Sequence, residues 1–333
     1  MSTRDEILKL LEENRGAYIS GESVAESLGV TRNAVWKAVT SLKEEGHRIG
    51  SVRKKGYILE PDSDVISLQG ISPFLLYDEA LAGKIHIYSE LASTNVTAKE
   101  MAVSGDFGGH IVIAERQTSG RGRRGREFFS PAGGIYISFI IKPEDIYGDK
   151  AHLFTLAAAV ASCEAIEEAA GLTPGIKWIN DILLHGRKVG GILTESALDM
   201  ESGAFQWVVV GIGINFNMPR KDFPAELQKR AGSLFPEGDA PVTRNRLIGE
   251  LINKMSDITD RASFEDPSGI IDRYRRRLDT AGKRVQVFCA GESYPAMALD
   301  IDDRGALKVK KDDGTIEVLS SGEVSLSPCD GGV

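Results

Sequence analysis

Cysteine is scarce in this chain of 333 residues: Cys163, Cys289 and Cys329 are odd in number and far apart. That usage argues against a disulfide framework and points to a reducing, cytoplasmic setting. The five histidines lie in unrelated contexts, none at a metal-ligand spacing from a cysteine, so a His/Cys metal site is not expected. No apolar run approaches the ~20 residues that cross a bilayer. The opening residues, Met-Ser-Thr-Arg-Asp-Glu, carry charge at once without an apolar core, so no signal peptide is expected. Two nucleotide-binding fingerprints are missing as well. There is no P-loop, and the run Val208 to Asn215 holds Gly211 and Gly213 without the third glycine and following helix of a dinucleotide site. Nor does the chain show a Ser-His-Asp or Cys-His arrangement for nucleophilic catalysis.

What is present is an ordinary globular composition, 42% hydrophobic and 26% charged, with a net charge of -8. The length predicts two or three domains of unequal size. Thr3 with Glu6 reads as a capping box ahead of a helix with Ile7, Leu8 and Leu11 on one face. A second helix follows Ser20, buries Val24, Ala25 and Leu28, and stops at Gly29. Thr31 then caps a third helix whose apolar stripe is Val35, Trp36, Val39 and Leu42. The short turn Gly29-Val30-Thr31 has helix-turn-helix spacing, and residues 47–58 read as two short strands around a basic turn, a wing. Between residues 31 and 55 the basic side chains far outnumber the acids Glu44 and Glu45. That surplus sits where a recognition helix and wing would meet phosphates. The DNA-facing candidates are Thr31, Arg32, Asn33, Trp36, Lys37, Lys43, Arg53 and Lys54. A small helical interaction domain with a solvated basic edge is the blander reading. Composition shifts at Pro61, and residues 61 to about 82 read as a linker with one short helix near Pro73.

The middle of the chain alternates strands and helices. Ile85 to Tyr88 reads as a strand running into Ser93-Thr94-Asn95, which begins a helix. On residue types alone that triplet reads as capping, with outward-facing donors and acceptors as the functional alternative. His110 to Ala114 is a strand leading through Gln117 to Gly120-Arg121-Gly122-Arg123-Arg124-Gly125-Arg126, and Gly134 to Ile141 is the next strand. An arginine-glycine segment can bind RNA, can be a solvated loop, or can close over a small anionic substrate. This one is single and framed by strands rather than repeated in an aromatic-bearing tail, which favours a ligand lid. Residues 151 to 170 read as an alanine-rich helix ended by Gly171. The stretch GIKWINDILLHGRKVGGILTES then reads strand, tight turn at His185-Gly186, strand, with Asn180 and Asp181 where the first passes into the second. Lys188 opens the return strand, either as a solvated edge residue or as a charge aimed into a site. After helices from Thr243 and Pro267, short strands separated by Gly291-Glu292, Asp303-Arg304-Gly305 and Asp312-Asp313-Gly314 fit a small barrel.

In order and spacing these stretches resemble bacterial biotin protein ligases of the bifunctional kind, which also repress the biotin operon. The resemblance covers nearly the whole chain. It is carried by the helix-turn-helix, Ser93-Thr94-Asn95, Gln117, the arginine loop, Lys177-Trp178-Ile179-Asn180-Asp181, Lys188 with Gly190-Gly191-Ile192-Leu193, and Gly211-Ile212-Gly213-Ile214-Asn215. It implies an α+β multidomain protein: a winged helix-turn-helix over 1–62, a linker over 63–82, a class II synthetase-like ligase domain over 83–277 and an SH3-like β-barrel over 278–330. It implies that biotin and ATP give biotinyl-5′-AMP, which acylates a lysine of a biotin carboxyl carrier protein. Ser93, Thr94, Asn95 and Gln117 would hold the ureido head, with Gly120, Arg121, Gly122 and Arg123 over the ring and adenylate. Lys188 would bridge the biotin carboxylate and the α-phosphate, making Lys188, Arg123 and Arg121 the catalytic candidates. Phe128, Lys177, Asn180, Asp181 and Asn215 would serve ATP, with Asp181 nearest magnesium (Mg2+). The unused adenylate would act as corepressor, favouring a homodimer on operator DNA. The chain departs from the family's usual pattern at Ile179, where proline is usual, and at Glu127-Phe128, where Lys-Trp is common. A lipoate or octanoate ligase, a regulator without catalysis, and a ligase whose first domain no longer regulates are the rivals.

Overall fold

The computed structural model describes residues 2–76, 81, 83–105, 109–141, 150–198, 200–201, 203–259, 261–289 and 291–326. Cys329 and the end of the expected barrel, residues 327–330, lie outside the described residues, as do 77–80 and 82 of the expected linker. No helix among the described residues is long and apolar enough to cross a membrane.

Three helices, α1 (Thr3–Glu13), α2 (Gly21–Ser27) and α3 (Arg32–Glu44), and a hairpin of β1 (Ile49–Val52) and β2 (Gly56–Leu59) enclose a core of their own. The capping box lies one residue earlier than the sequence suggests. Ser2 caps α1 and exchanges hydrogen bonds with Asp5, because Thr3 is already in the helix. Ser20 and Thr31 cap α2 and α3 as expected, and Gly29 takes φ +63 between them. Trp36 is not part of the buried stripe. It is 56% exposed, and Ala38 takes its place beside Val35, Val39 and Leu42, the i, i+3, i+4, i+7 set that one helical face can bury.

The segment after the wing is stitched down. Ser67 caps α4 (Leu68–Ile71), and Ile71 is wholly buried in the main core. The anchors come from α7 (Arg244–Ile258), so numbered after α5 (Thr94–Val103) and α6 (Ala151–Ala170). The buried Arg244 donates from its backbone N–H and from Nε to Asp64 at 2.7 Å each, and from Nη1 to Glu115 at 2.6 Å. Glu115 also accepts from the Ile66 N–H at 2.9 Å. Asn245 and Asn253 each pair, through both ends of their amides, with backbone groups between Val65 and Leu76.

Seven strands form the central sheet: β3 (Ile85–Tyr88), β4 (Ile111–Ala114), β5 (Ile135–Ile141), β6 (Gly175–Lys177), β7 (Asp181–Leu184), β8 (Arg187–Leu198) and β9 (Phe205–Ile214). Their order is β3-β4-β5-β9-β8-β7-β6, with β3 and β4 parallel and the other pairs antiparallel. Where one strand was expected before His185, there are two. The chain turns back over Trp178 to Asn180, so Asn180 sits in the turn and Asp181 starts β7; the peptide bond before Ile179 is cis.

Period-two alternation divides the sheet into unlike faces. Ile111, Ile137, Val210 and Ile212 pack with the alanine-rich α6 in the main core, whereas Val112, Ile140 and Val209 pack with α5. Register therefore places Ser138, Gly211, Gly213, Gly191, Leu193 and Glu195 on the α5 face. The remaining strands, β10 (Arg284–Cys289), β11 (Glu292–Ile301), β12 (Leu307–Lys311), β13 (Ile316–Leu319) and β14 (Glu323–Leu326), form an antiparallel sheet in the order β13-β12-β11-β10-β14. It is tied to the seven-stranded sheet by Trp178, whose indole N–H donates to the Gly305 carbonyl at 3.0 Å.

The junction yields a stability prediction. Arg244→Ala leaves Asp64 and Glu115 without their shared cation and should cost about 3 kcal/mol, the lower end for a broken buried pair, since both carboxylates keep some water contact. Chemical denaturation of the full chain measures this, and an unchanged midpoint contradicts it.

Candidate functional site

A cleft of about 750 Å³ opens on the α5 face where β5, β8 and β9 meet the arginine loop. One wall is the start of α5. Ser93 occupies the N-cap position, but its hydroxyl makes no capping bond, so the capping reading of the triplet does not hold. Thr94 is fixed instead by Gln117, whose Oε1 accepts from the Thr94 N–H at 2.8 Å and lies 3.1 Å from the Thr94 hydroxyl. The Gln117 amide donates to Ser130 Oγ at 3.0 Å, so its orientation is set as well. Asn95 behaves differently from its neighbours. Its side chain is spent inside the protein, on Ser138, the Leu193 carbonyl and Glu195.

The floor is made of glycine. A Cβ on Gly211 would lie 1.8 Å from Asn95 Oδ1, and one on Gly213 would lie 2.6 Å from the Phe128 ring. The two glycines seen in the sequence thus admit two of the protein's own side chains to the strand surface.

The arginine loop crosses the mouth. Arg124 at φ 57 and Gly125 at φ 73 fold it into a tight turn. Arg121, Gly122 and Arg123 line the cleft, whereas Gly120 stands behind the wall, where a Cβ would meet Ser130 Oγ at 2.3 Å. Arg123 is half-buried and donates to Asn180 Oδ1 at 3.2 Å. Burial, then the charge of neighbouring Arg124, pulls its guanidinium below the usual arginine range. Arg126 reaches Glu323 on β14 at 2.5 and 2.6 Å, a bidentate pair.

Opposite the loop, Lys188 points inward. Its Nζ lies 2.5 Å from Asp181 Oδ1 and 5.8 Å from the Phe128 ring centroid, so the edge reading of this lysine is set aside. Lys177 faces the other carboxylate oxygen of Asp181 at 3.4 Å. Both oxygens are thereby engaged by ammonium groups, and no three metal-ligating side chains stand together among the described residues. These residues do not make a self-standing magnesium site. A magnesium ion here would need phosphate oxygens for most of its shell. Asn215 donates to the Gly232 carbonyl at 2.8 Å, while its buried Oδ1 has no hydrogen-bond partner.

So the structure brings the sequence-nominated residues of the central domain to one cleft, except Gly120. Sequence reasoning missed Ser138 and Glu195, which hold the Asn95 amide, and Arg230 and Glu323, which line the cleft. The period-two pattern of β5 and β8 carried a signal for the first two, while the last two arrive from distant segments and had none.

The DNA-facing candidates lie elsewhere, on α3 and the wing. Arg32, Asn33, Trp36, Lys37, Lys43, Arg53 and Lys54 are exposed, and Thr31 spends its hydroxyl on the α3 cap. Arg32 pairs with Glu22 of α2, and Lys43 donates to Ser51 of the wing at 3.0 Å.

Comparison with known proteins bears on both regions. Residues 89–215 match the Biotin/lipoate A/B protein ligase family, residues 3–58 an HTH domain, and residues 280–327 the Biotin protein ligase C terminal domain. The chain is 34% identical over 323 residues to the Bifunctional ligase/repressor BirA of Bacillus subtilis (strain 168), covering 96% of this chain and 97% of that one. It is 32% identical over 247 residues to the Biotin--[acetyl-CoA-carboxylase] ligase of Mycobacterium tuberculosis, covering 72% and 88% respectively. Its fold is similar to that of the biotin protein ligase from Aquifex aeolicus in complex with biotin and ATP, with a TM-score of 0.62 and 27% identity over 73% of this chain and 98% of that one.

The glycine floor can be tested by contrast. Gly211→Ala drives a methyl into Asn95 and should cost about 1–3 kcal/mol as overpacking. Gly191→Ala meets the mobile end of Lys188 at 3.2 Å and the edge of the Phe128 ring at 3.4 Å, an ordinary contact, and should shift stability by less than about 0.5 kcal/mol. Thermal melts of the two variants should separate accordingly.

Proposed function

The chain belongs to the family of bifunctional biotin ligase/repressors, and from that membership we propose which of its residues do the chemistry and how repression is coupled to it. It is an ATP-dependent biotin protein ligase that transfers biotin to a carrier protein, and it carries a DNA-binding repressor domain. The observation that carries the residue assignments is the convergence of Lys188, Arg121 and Arg123 with Ser93, Thr94 and Gln117 in one cleft.

The chemistry demands such a site. A carboxylate must attack an α-phosphate, so two anions have to meet, and preorganised cations offset their repulsion and the charge of the transition state. Ser93, Thr94 and Gln117 bind the ureido head. Lys188, held in place by Asp181, is shared between the biotin carboxylate and the α-phosphate. Arg121 and Arg123 close over the adenylate, and an ordered loop keeps water from the mixed anhydride. Phe128 stacks on the base with a smaller face than tryptophan offers. Asn215 Oδ1 accepts a hydrogen bond from the nucleotide, which would satisfy a buried acceptor. Lys177, Asn180 and Asp181 complete the phosphate side. A magnesium ion entering with ATP would be held chiefly by the phosphates, with Asp181 as the carboxylate that would face it.

For regulation, biotinyl-5′-AMP left untransferred acts as corepressor: it orders the arginine loop, favours a homodimer, and the dimer sets two recognition helices on a two-part operator. Exposed basic side chains on α3 and the wing support the DNA contact.

Exchange of labelled pyrophosphate into ATP should depend on biotin and not on lipoate or octanoate. Lys188→Ala should reduce the rate by at least about a thousandfold while leaving the melting temperature unchanged; full activity in that variant rules out its role. In gel shifts with biotin-operator DNA, biotin plus ATP should tighten binding. Binding that is indifferent to them would leave a ligase without a switch.

A further inference from the structure

The packing of the winged domain leaves Trp36 over. Val35, Ala38, Val39 and Leu42 carry α3 into the core, and Trp36 belongs to no part of that cluster. It is 56% exposed, and among the described residues no aromatic side chain is more so. Its neighbours on the outer face of the helix are Arg32, Asn33, Lys37 and Thr40, all polar. The Thr40 hydroxyl donates to the Trp36 carbonyl at 2.9 Å, so its proton is used on the helix itself. A side chain on a helix leans toward the amino terminus and covers the turn before its own Cα. The indole therefore lies over the first turn of α3, beside Arg32 and Asn33, the end at which a recognition helix reaches base edges.

The surroundings decide what that ring meets. Arg32 and Lys37 on the helix and Arg53, Lys54 and Lys55 on the wing are exposed, so the face attracts a polyanion rather than an apolar protein surface. Indole has no charge to offer a phosphate, and it has one N–H donor and no acceptor, so it reads hydrogen-bonding base edges poorly. What it offers is apolar area, about 150–250 Å² for a buried aromatic side chain. Guanine, cytosine and adenine present hydrogen-bonding groups in the major groove. Thymine alone adds an apolar one, its C5-methyl.

We propose that Trp36 is a specificity-determining residue of the repressor domain, which selects thymine by burying the C5-methyl of one base in each half-site against its indole. The proposal rests on the reading of α3 as the recognition helix and adds the base that this position selects. The basic side chains around Trp36 bring the helix to the groove by attraction to phosphates, which is blind to sequence. The indole then adds a contact that carries sequence information and no charge. Its share of the affinity is therefore independent of salt, unlike that of its neighbours.

The test is a gel-shift titration of the full chain, with biotin and ATP present, on the biotin-operator duplex. It is repeated on duplexes in which uracil replaces one thymine at a time, at equivalent places in the two half-sites. Uracil pairs as thymine does and lacks only the methyl. At one such place wild-type binding should weaken about fourfold for each methyl removed, the effect of exposing one buried carbon group. Trp36→Ala should bind the thymine operator at least about tenfold more weakly, as the loss of both contacts requires, and should bind the uracil operator equally well. Its position is exposed, so its melting temperature should match that of the wild type. The slope of its affinity against salt should also stay at the wild-type value, because no charge is lost. Wild-type binding that is indifferent to every uracil overturns the proposal. So does a Trp36→Ala variant that binds as tightly as the wild type, or one that binds weakly but keeps the full uracil penalty, since the ring then acts elsewhere. A wild-type chain that does not bind the operator at all sinks the reading of α3 instead, and so is distinguishable.

Discussion

The crowding of cations around one carboxylate organises the site. Asp181 holds Lys188 and Lys177, one on each oxygen, while Arg121, Arg123 and Arg124 face them across the cleft. Like charges brought together at the edge of a low-dielectric interior repel, and one aspartate does not balance them. The loop is partly tied elsewhere, Arg126 and Arg124 to Glu323, and Arg123 to the neutral amide of Asn180. Under the proposed function, an anionic ligand in the cleft supplies the missing charge, and binding and loop ordering are then a single event.

The sheet makes that arrangement possible by having two unlike faces. On one, Ile, Val and Ala pack against α6 and give a rigid slab. On the other, Gly191, Gly211, Gly213 and Ser138 leave a trough shallow enough for side chains to lie on the backbone. Strands, rather than loops, thus carry Lys188, Ser138 and Glu195, which fixes them more tightly than a loop could.

Much of this was legible in the sequence. Caps and glycine stops marked the helices because capping is local chemistry: Ser20, Thr31 and Thr243 bond to backbone groups within three residues. The arginine loop and the Lys-Trp-Ile-Asn-Asp stretch marked the cleft because both are polar where neighbouring strands are apolar. Misreadings fell where neighbours far along the chain decide. Trp36 satisfies a helical stripe on paper, yet Ala38 is the residue that fits against α1. Asn95 lines the cleft, and what its type did not show is that Ser138 and Glu195, 43 and 100 positions away, claim its amide. Glu323 joins the loop across 197 positions, a distance over which a single sequence holds no signal.

Arg244, Asn245 and Asn253 fasten residues 64–76 to the ligase body along two turns and more of α7, and the same Glu115 that Arg244 grips begins the stretch leading to Gln117. The winged helix is therefore not a pendant on a tether but a limb set in a socket. Its bearing is set by the enzyme body, where Glu115, two residues before Gln117, bonds directly to the Ile66 N–H and through Arg244 to Asp64. A gene fusion that borrowed the amino-terminal limb alone would carry away half of that joint.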